Sequence, residues 1–169
     1  MKAKKLAGKS FNNLKELEKY IMSKVNESLK TDVAPVIKDE LESSILEMQN
    51  EYDPIYYDRR SSSNSLGSGG LADKNTMNSE LVSNGTLSVT PQADFNYDFA
   101  ENHGFPSIYG NVDYNKSLVS NIIGGYGDKS HPWNRPRDFV EDTRENLRRN
   151  KNHVESMKDG LRAKGIEVL

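Results

Sequence analysis

Apolar residues recur every three or four positions from about Ser10 to about Gln49: Leu14, Leu17, Ile21, Val25, Leu29, Val33, Val36 or Ile37, Leu41, Ile45 and Met48. That period marks one face of an α-helix, and Ser10 is a suitable N-cap. Pro35 interrupts the run. It has no N–H and its ring crowds the preceding turn, so a kink or break is predicted near residues 31–35, with Thr31 or Asp32 able to cap a restarted half. The result is one long bent helix or two collinear ones. Pro54 stops helix, and "SSSNSLGSGG" predicts a flexible loop over 59–72.

The pattern then changes period. "SELVSNGTLSVTP" reads as two strands joined at Asn84–Gly85, a pair suited to a type I′ turn with positive φ at both positions. In that register Val82 faces Leu87 and Glu80 faces Val89. Val82, Leu87 and Val89 then share one face, expected to lie on the long helix. Residues 92–130 have no clean periodicity and are expected to form an extended loop or insertion. A last helix is predicted after Pro136, capped by Asp138. Its inner face carries Phe139, Val140, Thr143, Leu147, Val154, Met157 and Leu161. Gly165 suits the left-handed position that ends it, with Ile166 packing back on Leu161.

Composition narrows what such a chain can do. A length of 169 residues fits a single domain over 1–169, but only 34% are hydrophobic and 8% aromatic, so the core is small and some burial is left for arms or partners. The net charge of −2 argues against a dedicated DNA binder, which needs a basic excess. No cysteine is present, which excludes disulfides, thiolate zinc sites and a cysteine nucleophile. The start, "MKAKKLAGKS", lacks the apolar stretch of a signal peptide, and no run reaches membrane-spanning length.

Candidate chemistry is sparse. His103, His131 and His153 stand alone, without ligands at metal spacing. No G-x-S-x-G occurs, and the acids lie on helix faces beside bases. No catalytic, metal or cofactor residues are expected, and no enzyme activity. The segment "HPWNRPRDFVEDTRENLRRN" is different: it sets the lone Trp133 beside Pro132, Arg135, Pro136 and Arg137. Trp and Arg are enriched at interfaces, and prolines limit the entropy lost on docking. Two readings stand: Trp133 caps the chain's own core with Arg135 and Arg137 solvated, or the loop meets another protein.

The order of these features resembles the small neck, or tail-completion, proteins of long-tailed bacteriophages. A long amphipathic helix, "YYDRR", a hairpin and "IIGGYG" precede a Trp/Arg/Pro segment and a Phe-led helix, "RPRDFVEDTRENL". Arg135–Pro136 match the family's Arg-Pro-Phe, with Phe139 and Thr143 supplying later positions. Arg137 and Asp138 are extra, and the acidic residue of the family's apolar-Glu-x-Gly turn is replaced in "VSNIIGGYG". The resemblance implies an α+β fold, with the kinked N-terminal helix and the C-terminal helix packed on a small antiparallel sheet and long loops serving as arms. It implies a non-catalytic virion protein, assembled in the host cytoplasm into a ring that joins head connector to tail. Its partners would be further copies of itself (six, alternatively twelve), a connector or stopper protein, a tail terminator or tube protein, and genomic DNA in the lumen, with no membrane. Trp133, Arg135, Arg137, Tyr56, Tyr57, Arg59 and Arg60 become the expected interface, and Phe139, Gly85 and Gly165 structural positions. The alternative is a small nucleic-acid-binding regulator using Arg144, Arg148, Arg149 and Lys151, although acids are interleaved with them.

Overall fold

Helix begins at Leu14 because Asn13, with Glu16 three residues on, forms a reciprocal cap. The Glu16 N–H donates to Asn13 Oδ1 at 2.9 Å, and the Asn12 N–H donates to Glu16 Oε2 at 3.3 Å. The expected cap, Ser10, is instead the last residue of a short strand. Its third-following residue is Asn13, which cannot reach back as a glutamate does. A computed structural model of the chain describes residues 5–6, 9–50, 71–92, 123–124 and 136–168. In it β1 (Lys5–Leu6) pairs antiparallel with β2 (Lys9–Ser10), Lys5 opposite Ser10; the apolar pattern gives no sign of this ladder. The Phe11 ring then rests on Tyr20, centroids 5.1 Å apart.

From Leu14 to Asn50 the chain stays helical: α1 (Leu14–Ser28), a π-turn (Leu29–Val33) and α2 (Ala34–Asn50). The predicted break near Pro35 is therefore a widened turn. The Ala34 N–H reaches back five residues to the Leu29 carbonyl, which makes room for a proline that can neither donate to Thr31 nor fit a normal turn. Spacing supports the same device. Leu17, Ile21, Val25, Leu29, Val33, Ile37, Leu41 and Ile45 are four apart, and each four-residue step over-rotates by about 40° on an α-helix. One extra residue in a turn sets that drift back.

β3 (Asn78–Ser83) and β4 (Thr86–Thr90) form the predicted hairpin. Its turn differs from expectation. Gly85 has φ 76°, while Asn84 does not enter the positive-φ region, the φ pattern of a type II rather than a type I′ turn. A tertiary contact accompanies the change: Asn26 of α1 accepts from the Gly85 N–H at 2.8 Å and donates to Asn84 Oδ1 at 3.1 Å. The hairpin is tied to the helix at its tip, and the expected apolar face is not sealed: Val82 is 59% exposed, and Leu81 is the more covered neighbour.

Asp138 caps α3 (Phe139–Asn150), accepting from the Glu141 N–H at 3.0 Å. The single last helix of the sequence reading divides at Lys151, which adopts φ 56°. There the Asn150 side chain accepts from the Asn152 N–H at 3.1 Å, a local bond that competes with helix continuation. α4 (Asn152–Ala163) follows. It ends with Gly165 at φ 79° and with Ile166 and Gly165 N–H groups donating to the Leu161 and Arg162 carbonyls, both at 2.9 Å: a Schellman cap. The architecture is α+β.

These elements belong to two compact units. One comprises Met1–Asp39, Ser79–Val89 and Asn146–Leu169; the other comprises Glu40–Asn78 and Thr90–Glu145. In the second unit Leu41, Ile45, Met48, Leu71, Ala72, Met77 and Phe139 are buried. The expected 59–72 loop thus ends in two core residues; the rest of it lies outside the described residues, as does the predicted 92–130 segment apart from Gln92, Ile123 and Gly124. Asp73 holds the turn after Ala72, accepting from the Asn75 N–H at 2.9 Å, and Lys74 pairs with Glu42 of α2 at 3.0 Å.

Candidate functional site

Of the predicted interface residues, Arg137 alone is described; Trp133, Arg135, Tyr56, Tyr57, Arg59 and Arg60 lie outside the described residues. Arg137 is half-buried between exposed Pro136 and exposed Asp138, and the next residue, Phe139, is fully enclosed. The cap on Asp138 fixes where α3 starts and so commits Phe139 to the interior of its unit. Thr143, one turn on and also buried, donates its hydroxyl to the Phe139 carbonyl at 2.7 Å. On the outer side Arg144 meets Glu141 at 3.0 Å, an exposed pair of little energetic weight.

A dense polar constellation lies elsewhere. At the π-turn the Lys164 ammonium meets Asp32 Oδ2 at 2.6 Å, with side chains 14% and 29% exposed. The same ammonium lies 3.4 Å from Thr31 Oγ1 and from the Gly160 carbonyl. Ser156 donates its hydroxyl to the Asp32 carbonyl at 2.7 Å, in the turn that Pro35 perturbs. Burial opposes ionisation of Asp32, but Lys164, Thr31 and Ser28 outweigh it and hold the carboxyl below its ordinary value. Of these, the Ser28 hydroxyl favours the charge by proximity, outside hydrogen-bond geometry.

Gly160 makes this approach possible. A Cβ there would stand 2.1 Å from Asp32 Oδ2 and 2.7 Å from its Cγ, so α4 can lie against the turn only without a side chain at that position. The sequence carried a faint signal for this contact, a glycine inside an otherwise helical run, but none for its partner 128 positions earlier. Chemically the cluster is a clasp: its carboxylate is paired with an ammonium and held ionised, which suits support rather than proton transfer.

A second feature is an apolar surface left half-covered. On α1 Ser28 is the one buried residue, so Leu17, Ile21, Met22 and Val25 are partly open, and Leu14 is 69% exposed. Val82 on β3 and Val154 on α4 are also exposed. Among the described residues no group of three His, Cys, Asp or Glu could hold a metal ion, and no helix is long and apolar enough to cross a membrane.

The chain belongs to the YomN family, a phage-derived family whose model matches residues 13–163. No curated protein and no solved structure matches the chain.

Proposed function

We propose that this phage-family protein is a structural component of the virion neck, a ring that joins the head connector to the tail and has no catalytic activity. The observation that carries the reading is the half-covered α1: an amphipathic helix whose apolar residues stay partly exposed suits a subunit that completes its burial against a neighbour. Membership of a phage-derived family over 13–163 supports it, as does the resemblance to neck proteins in the order of elements. In a closed ring each subunit offers two different surfaces to its neighbours. Sixfold symmetry is the reading we favour, with twelvefold as the alternative, and the Trp133–Arg137 segment and α1 are assigned to these contacts. The ring would sit between a connector or stopper protein and a tail terminator or tube protein, and would assemble in the host cytoplasm.

The test pairs two variants. Leu14→Ser should change the stability of the isolated chain by no more than about 0.5 kcal/mol, as exposed positions do, and Trp133→Ala should also leave its melting unchanged. In a phage carrying either, separate heads and tails should accumulate in micrographs of the lysate. Whole virions at parental yield with both variants would overturn the reading.

A further inference from the structure

We infer that Asn84 is a modification site, converted to aspartate and isoaspartate by ring closure with the Gly85 nitrogen, and that Asn26 of α1 holds this conversion back while the hairpin tip is docked. Asn84–Gly85 is the only Asn–Gly pair in the chain, and both residues are exposed. The chemistry needs only water and its hydroxide. The Gly85 nitrogen loses its proton to hydroxide and attacks Asn84 Cγ; a nitrogen–carbon bond forms and the side-chain nitrogen leaves as ammonia. Water then opens the cyclic imide. Cleavage of the new bond gives aspartate. Cleavage of the original peptide bond leaves the chain running through Cγ, as isoaspartate. Glycine suits the second position because no Cβ shields its nitrogen or restricts the turn.

One side chain controls both reacting groups. Asn26 Oδ1 accepts from the Gly85 N–H at 2.8 Å, and Asn26 Nδ2 donates to Asn84 Oδ1 at 3.1 Å. A backbone N–H requires an oxygen, so one orientation of the Asn26 amide serves both bonds. The first bond keeps the proton on the nucleophile and points it at α1. The second turns the Asn84 carbonyl toward α1, fixing a side chain that must rotate to bring Cγ over the Gly85 nitrogen. Donation to Oδ1 also draws electrons from Cγ and by itself favours attack. Retention of the proton outweighs it, because a protonated amide nitrogen is not a nucleophile. Asp159–Gly160, the one Asp–Gly pair, is open to the same imide, but Gly160 is buried inside α4, where its N–H belongs to the helical ladder. Gly85 lies in the turn, outside either strand, and its guard is a side chain of the same unit. An isoaspartyl turn carries one more backbone atom, which displaces the Gly85 N–H from Asn26, so conversion undocks the tip from α1. The inference is independent of the neck reading.

The experiment incubates the purified full chain in mildly alkaline buffer and follows the peptide carrying Asn84 by mass spectrometry, with isoaspartate located by fragmentation. The folded parent should convert slowly, and the same chain in guanidinium chloride faster. Asn26→Ala should convert roughly threefold to tenfold faster than the folded parent, the factor that loss of one ordinary hydrogen bond produces, with isoaspartate the major product. Asn26→Asp keeps an acceptor for the Gly85 N–H and loses the donor, so its rate should stay nearer the parent than the alanine variant. Asn84→Gln, which would need a larger ring, should give no product at that position. In the isolated isoaspartyl chain the Gly85 amide should exchange faster with solvent while α4 keeps parental protection. Equal rates in parent and Asn26→Ala, or an aspartate variant as fast as the alanine one, would overturn the guarding role. Should the alanine variant melt early, the parent decides: one rate in its folded and denatured forms would overturn the same claim. Absence of product at position 84 in the denatured chain would overturn the site itself, and parental exchange at Gly85 in the isoaspartyl chain would overturn the undocking.

Discussion

The two units close by different chemistry. In the one built on Glu40–Asn78 and Thr90–Glu145, the enclosed side chains are mostly apolar, with Phe139 and Ile45 both at 0% exposure. In the other, Val33, Ala34, Leu161 and Ile166 are buried, but the closest contact is polar: Asp32, Ser156 and Lys164 around a helix face opened by Gly160. The first is held by area removed from water, which is non-directional and tolerant of small shifts. The second depends on geometry, because one extra carbon at Gly160 would collide with a carboxylate. The helix α2 contributes to both units, so one amphipathic pattern feeds two kinds of closure.

Removing the largest enclosed side chain should hurt most. Phe139→Ala is expected to cost roughly 3–5 kcal/mol, the cost typical of a buried aromatic cut back to methyl, read from chemical denaturation. Gly160→Ala should come next, at about 1–3 kcal/mol for overpacking. It should also speed amide exchange along α4 while residues 41–48 of α2 keep parental protection. Equal loss of protection in both places would merge the two closures into one.

Acid separates them more gently. The Asp32 carboxyl is held below its ordinary value of 3.8 by Lys164 and neighbouring hydroxyls, against the burial that opposes it. Its ionised form therefore contributes stability above the unfolded value, and that contribution is lost as pH falls through the folded one. Amide exchange in α4 should quicken below about pH 4 before that of the Phe139 unit, and Asp32→Asn should remove this acid step. An α4 indifferent to acid would show that the clasp adds nothing.

Features decided within a few residues were readable from the sequence. The helical stripe from Leu14 to Met48, the Asp138 cap and the Gly165 termination each follow from side chains close to where they act. Errors arose where a nearby or distant partner outbid a local preference. Ser10 lost to the Asn13–Glu16 pair, and Asn84 kept an ordinary φ in a turn gripped by Asn26, 58 positions away. At Lys151 the Asn150 side chain interrupted a pattern that reads as continuous. The clasp was invisible because Asp32 and Lys164, separated by 132 positions, each look like ordinary surface charges. Phe139, expected as a structural position, could be read because an enclosed aromatic declares itself by period. The half-burial of Arg137 had no such signal, because it leaves no periodic trace in the sequence.

A π-turn is a helix carrying one residue more than its length requires. In a comparison of family members, the segment Leu29–Val33 is accordingly where a single-residue gap belongs, opposite any relative that has lost Pro35 and returned to regular helix. Such a relative would present a different side chain to α4, freeing the position of Gly160 from its ban on a Cβ. Glycine at 160, aspartate at 32 and proline at 35 should therefore be inherited or lost together, as a heritable trio rather than as three independent letters.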